Sequence, residues 1–218
     1  MLEAQIGRLR QCRSVDRIVV ATSESPSEQP IVELCHRIHV DVFRGSEQDV
    51  LSRFVGAAIK YEADVVVRCT GDCPLIDAGV VDRIVDELIA RRQRCDYASN
   101  VLKRTFPRGL DAEALHMDTL LRIDRMATDA GEREHVTLLP RQRRDGAFLC
   151  HSVEDAEDHS HLRWTVDTAE DLAWVSEFYR ATGAVDGFPS YREMLAVLDQ
   201  RPELARLDAK GDTWDPAR

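Results

Sequence analysis

The chain has 218 residues, 44% of them hydrophobic, which is enough for one well-filled core. Lys and Arg number 29 and Asp and Glu 39, a formal net charge of −10, and this argues against general nucleic-acid binding, which is driven by phosphate neutralisation. No apolar stretch approaches the roughly 18 residues of a membrane span and no signal-peptide pattern is seen, so a cytoplasmic protein is expected.

Leu2, Ile6 and Leu9 share one helical face, so the first segment, 2–13, predicts a helix. Residues 17–22 form an apolar run typical of a buried strand. Polar residues 23–29 follow, and Pro30 then suits the first turn of a second helix. The rhythm repeats: a strand at 40–43, a helix over 48–60, a strand at 64–68 that its continuous apolar character marks as buried on both faces, and a helix around Val81 to Ile89. Strands alternating with helices predict βαβ units and a mostly parallel sheet.

After Arg94 the rhythm changes. Strands are expected at 95–100 and 111–116, with a loop between them. Helices are expected at 117–128 and at 132–139, the latter stopped by Pro140. Segments 148–153 and 161–166 read as strands that pair with each other. Trp174, Val175, Phe178 and Tyr179 mark a late helix. One α/β domain over 1–185 is expected, followed by an appendage over 186–218 with a helix at 191–198 and a fraying tail. The six cysteines (Cys12, Cys35, Cys69, Cys73, Cys95, Cys150) form no C-x-x-C pair; they read as buried or half-buried thiols, not zinc ligands.

Two aspartates stand where an apolar run stops and a helix begins: Asp72 in Thr70-Gly-Asp-Cys-Pro-Leu-Ile-Asp77, and Asp167 in Trp164-Thr-Val-Asp-Thr-Ala-Glu-Asp171. In open α/β sheets ligands bind at the carboxyl ends of strands. Two carboxylates gathered there suit Mg²⁺ and, through it, nucleotide phosphates. Asp77 reads as the cap of the next helix, and Thr168 with Asp171 as a capping box, which leaves Asp167 uncommitted. Each of Asp72 and Asp167 also has an ordinary use, satisfying loop amides or a helix terminus. The histidines between His151 and His161 read as part of a solvated polar loop.

The ordered segments Ile18-Val-Val-Ala-Thr-Ser23, Val42-Phe-Arg-Gly-Ser46, Val67-Arg-Cys-Thr-Gly-Asp72, Asp96-Tyr-Ala-Ser-Asn100, Gly109-Leu-Asp111, Arg133-Glu-His-Val-Thr137 and Leu162-Arg-Trp-Thr-Val-Asp-Thr168 resemble those of the SpsF-type cytidylyltransferases of spore-coat and surface polysaccharide synthesis. The resemblance implies a nucleotide-diphosphosugar-transferase-like three-layer sandwich. It implies that Asp72 and Asp167 hold Mg²⁺ against CTP, and that Thr22, Arg44, Ser46 and Arg68 line the nucleotide. The acceptor, a small acidic sugar-like molecule, is expected near Asn100, Arg108, Asp111, Glu134 and His135. Arg104 and Arg108 suit either an anion or a solvated loop edge; His135 suits either a substrate contact or local packing. A homodimer is compatible with this reading.

The family's opening strand and Arg-Leu-Pro-Gly-Lys-type phosphate loop are not found in this sequence. Arg8-Leu-Arg10 lies within a helical pattern, and no G-x-G or G-K-[ST] occurs. The strands that would flank such a strand are therefore expected to show an unpaired edge. Two other readings stand beside the enzyme: a catalytically impaired homologue acting as a binding or oligomeric partner, and a glycosyltransferase on a similar half-sheet.

Overall fold

A computed structural model describes residues 1–142 and 145–208. In chain order the elements are α1 (Leu2–Leu9), β1 (Val19–Ser23), α2 (Gln29–Arg37), β2 (Asp41–Gly45), α3 (Val50–Lys60), β3 (Val65–Arg68), α4 (Ala78–Ala90), β4 (Tyr97–Ser99), β5 (Glu113–His116), α5 (Met117–Met126), α6 (Ala130–Glu134), α7 (Leu138–Gln142), β6 (Cys150–Ser152), α8 (Ala169–Ala181) and α9 (Tyr191–Gln200).

Helix starts follow their capping chemistry. The Asp49 side chain accepts the Ser52 amide at the start of α3, and Asp77 accepts the Val80 amide at the start of α4. Thr168 with Asp171, and Ser190 with Glu193, form complete capping boxes on α8 and α9. Each cap satisfies amides that the first helical turn leaves without partners.

The strands form two sheets. β1 and β2 pair in parallel, while β3, β5, β4 and β6 make a four-stranded sheet in that order. The expected α/β class holds, but the larger sheet is mixed. β5 inserts between β3 and β4 and runs antiparallel to both, and β6 lies parallel to β4. The 100–112 connection turns the chain straight back, so no helical crossover separates β4 from β5.

Among the described residues β1 pairs only with β2, and β3 only with β5, so each presents one unpaired edge. This also corrects the expectation for β3. Val65, Val66 and Val67 are half-buried, because an edge strand lacks the second neighbour that would complete its cover.

Three apolar clusters hold the layers. Helices α4, α8 and α9 cover one face of the larger sheet, with Ile84, Leu88, Trp164, Phe178 and Met194 inside. Phe178 lies between two tryptophans, its ring centroid 5.5 Å from that of Trp164 and 5.1 Å from that of Trp174. Helices α3, α5 and α7 cover the other face, around Tyr97, Leu115 and Ile123. Ile6 of α1 packs with Cys35 and Val40 against the two-stranded sheet. Beyond residue 185, α9 contributes Tyr191, Met194 and Leu198 to the same cluster as α4. The fraying tail expected from the sequence lies in part, from residue 209, outside the described residues.

Four local expectations are corrected. Pro140 does not stop a helix; it sits in the first turn of α7, where its missing N–H would have had no partner anyway. The helix expected over 132–139 breaks at 135–137 instead, where Val136 adopts φ 54°. Segments 148–153 and 161–166 do not pair with each other: β6 joins β4, and Arg163 forms a parallel bridge to Arg108. Cys150, on the outermost strand of that sheet, is exposed.

Candidate active site

The carboxyl end of β3 runs into Cys69, Thr70, Gly71 and Asp72. Three side chains from α1 and α8 fix this loop. Gln5 of α1 donates to the Thr70 carbonyl (2.7 Å) and Arg8 donates to the Ile76 carbonyl (2.5 Å). Tyr179 of α8 donates its hydroxyl to the Pro74 carbonyl (2.6 Å). Against the loop lies the second predicted segment, whose Val166 amide donates to the Asp72 carbonyl (2.9 Å). The two aspartate-bearing turns are thus joined directly, backbone to backbone.

Asp72 is half-buried and forms no ion pair among the described residues; the Cys73 thiol lies 3.6 Å from its Oδ1. Asp167 is exposed. Its carboxylate takes Arg163 as an ion-pair partner and accepts the Thr165 hydroxyl at 3.3 Å. Asp171 organises this turn from beneath. It is fully buried and accepts the amides of Asp167 (2.8 Å) and Thr168 (2.9 Å), together with Arg163 and Arg206. Burial opposes its ionisation, but the Arg163 contact and the two amides outweigh burial and hold its carboxyl well below the usual carboxylate range.

Asp111 approaches from the 100–112 connection. Arg104 grips it with two nitrogens, at 2.5 and 2.8 Å. Gly109 makes the approach feasible: its φ is +104°, and a Cβ there would lie 2.7 Å from the Trp164 carbonyl carbon. Burial, and then the charges of Asp72 and Asp111, push the Cys73 thiol well up. Arg108 donates to Asp208 at 3.0 Å, so a residue near the chain end reaches this side of the site.

The other predicted residues are placed as follows. Asn100 is completely buried; its amide donates to the Leu110 carbonyl and accepts the Ala112 amide, which shapes the Asp111 turn from below. Thr22 donates to the Glu28 carboxylate. Arg44 donates to the carbonyls of Ser23, Glu24 and Ser25, clamping the turn after β1. Ser46 accepts the Asp49 amide at the entry to α3. These three stand at the carboxyl ends of the two-stranded sheet and are engaged with local partners. Glu134 is exposed, and His135 is half-buried at the break between α6 and α7.

Arg68 leads to a group that sequence reasoning missed. It pairs with Glu113, its direct neighbour across the β3–β5 ladder. Glu113 is buried and also accepts the hydroxyls of Tyr97 and Thr137 (2.5 Å), while Arg141 Nε lies 4.0 Å from it. Burial works against the charge, yet Arg68, Arg141, Thr137 and Tyr97 together bring its pKa below the ordinary value, so Glu113 is ionised at neutral pH. The only trace in the sequence is a glutamate opening the short strand Glu113-Ala-Leu-His116.

Asp72 and Asp167 supply hard oxygen donors from two joined loops, a donor set that fits Mg²⁺. Among the described residues no group of three or more His, Cys, Asp and Glu side chains is placed to hold a metal. A Mg²⁺ on one or two carboxylates is completed by substrate phosphates and water, so a pair is sufficient.

The family model for cytidylyltransferases matches residues 1–173. The MJ1063 protein of Methanocaldococcus jannaschii is 32% identical over 211 residues, covering 96% of this chain and 84% of that protein. The spore coat polysaccharide biosynthesis protein SpsF of Bacillus subtilis is 28% identical over 212 residues, 94% of this chain and 85% of the relative. Among solved structures, a cytidylyltransferase from Leptospira borgpetersenii superposes with a TM-score of 0.87 at 29% identity, covering 95% of this chain and 86% of that one. A CMP:2-keto-3-deoxy-manno-octonic acid synthetase, solved with CTP, superposes with a TM-score of 0.58 at 15% identity, covering 82% and 87%, and shares the fold.

Proposed function

The chain belongs to the cytidylyltransferase family, and from that premise we propose that it transfers the cytidylyl group of CTP to a small acidic sugar-like acceptor used in surface polysaccharide synthesis. The observation that carries this reading is the backbone junction of the two aspartate loops, Val166 to Asp72 at 2.9 Å, at the carboxyl end of β3. The likeness to SpsF supports the polysaccharide role, and the CTP held by the synthetase of the same fold supports the nucleotide.

In this reading an acceptor oxygen attacks the α-phosphorus in line. The new O–P bond forms as the bond to the β-phosphate oxygen breaks, and pyrophosphate leaves. Asp72 and Asp167 would hold Mg²⁺, which when bound neutralises phosphate charge and orients the leaving group. Asp171 fixes the Asp167 turn by taking the amides of Asp167 and Thr168, which leaves the Asp167 carboxylate outside the helix cap. Arg68 presents a guanidinium to a phosphate oxygen. Asp111, with its charge balanced by Arg104, stands to accept a hydrogen bond from an acceptor hydroxyl. The backbone carbonyl of the half-buried His135 accepts the amide of Thr137, the residue whose hydroxyl bonds to Glu113.

A pyrophosphate-release assay with the four nucleoside triphosphates, Mg²⁺ and a panel of acidic sugars tests the reading. Release that requires CTP and one class of acidic sugar is expected. Release with UTP in preference to CTP, or none with any pair, would overturn it.

A further inference from the structure

Three donors converge on Glu113 from separate parts of the chain, Arg68 at the end of β3, Tyr97 on β4 and Thr137 before α7, and Arg141, whose Nε donates to the Thr137 carbonyl, stands 4.0 Å away as a second cation. Burying a carboxylate is costly unless it is paired and hydrogen-bonded, and here Arg68 and two hydroxyls supply that pairing. A purely structural strand could have carried a leucine at this position, as β5 does at Leu115 on the same face.

Two further observations bear on what the group does. Val136 adopts φ 54° and is 1% exposed, and a β-branched residue in the left-handed region is strained. Such strain persists only where neighbours enforce it, and it gathers at functional sites. The neighbour here is Thr137, whose hydroxyl bonds to Glu113. In addition, Arg68 is about 15% exposed and Glu113 is its one ion-pair partner among the described residues. Its guanidinium is anchored through Nη1, and Arg68 is the last residue of β3, four residues before Asp72.

Resting on the nucleotide reading above, we propose that Glu113 is a positioning residue for cytidylyl transfer: it aims the Arg68 guanidinium at a phosphate of the nucleotide and locks the kinked 135–137 segment beside it. Glu113 itself touches no substrate. The arrangement pre-sets a charge-assisted donor, so the nucleotide need not order a long side chain on binding.

The test is a double-mutant cycle on Glu113→Gln and Arg68→Met, read by calorimetric titration with CTP and Mg²⁺ and by thermal unfolding. Each single variant is expected to weaken CTP binding about 10- to 100-fold, the loss of one charge-assisted contact. The double variant is expected to be no weaker than Arg68→Met alone, since Glu113 acts through Arg68. Additive losses would assign Glu113 a structural role and overturn the proposal, as would unchanged affinity in Glu113→Gln. If Glu113→Gln does not fold, Arg68→Met decides alone: lowered stability with unchanged CTP affinity overturns the proposal, and lowered affinity supports it. Absence of CTP binding by the unaltered chain would overturn the nucleotide reading and this inference together, whereas binding that neither variant changes overturns this inference only.

Discussion

Replacing Asp171 with asparagine removes one negative charge beneath the Asp167 turn and leaves its shape. The amide oxygen still accepts the amides of Asp167 and Thr168, but its NH₂ group now faces Arg163 and Arg206. Breaking a buried ion pair from one side costs about 3–5 kcal/mol. Arg163 keeps Asp167 as a second partner and Arg206 is about 29% exposed, so both cations are partly relieved. The lower end, about 3 kcal/mol, is therefore expected. For a chain of this length that lowers the thermal midpoint by about 6–12 °C. The pH dependence supplies an independent check. The folded pKa of Asp171 is depressed, so its contribution is fully present above the unfolded value near 3.9 and is lost as pH falls through the lower folded value. Urea unfolding of the two proteins should thus show a constant gap above about pH 5 that narrows below about pH 4. A loss under about 1 kcal/mol at pH 7, or a gap that widens in acid, would refute the assignment of Asp171 as the charged support of this turn.

Asp72→Asn should abolish CTP-dependent pyrophosphate release while moving the thermal midpoint little, because Asp72 has no ion-pair partner to lose among the described residues; near-normal turnover would overturn the metal-binding role proposed for it. Gly109→Ala combines a left-handed backbone with a Cβ 2.7 Å from the Trp164 backbone, and should cost about 2–4 kcal/mol in urea unfolding; a neutral effect would show that the two loops separate freely. Asp77→Ala removes the α4 cap and the acceptor of the Tyr191 amide (2.7 Å), and a loss of about 2–3 kcal/mol is expected, with earlier proteolysis around α9.

Local chemistry was legible in the sequence wherever it was sufficient. The caps at Asp77 and Thr168, and most helix and strand positions, follow from spacing and side-chain type alone. The release of Asp167 from capping duty was readable for the same reason, since Thr168 and Asp171 form a recognisable box. What could not be read depends on partners distant along the chain. The reversal of β5 is set by the 100–112 turn, which is shaped by the buried Asn100 amide and by Gly109 passing under Trp164. Glu113 draws its partners from positions 68, 97, 137 and 141, and no local pattern links them. Pro140 was misread because the break that makes it a helix-start residue lies at Val136, where sequence preference disfavours a left-handed turn.

The contact between the two aspartate loops runs from a backbone amide to a backbone carbonyl. Its length is therefore indifferent to which side chains residues 72 and 166 carry. The side chains around the two carboxylates can be exchanged while the separation of the two loops stays the same. Substitutions at Asp72 or Asp167 accordingly change the charge presented there without unfastening the frame that presents it. Change in the groups presented and constancy of their spacing can thus proceed separately in one small scaffold.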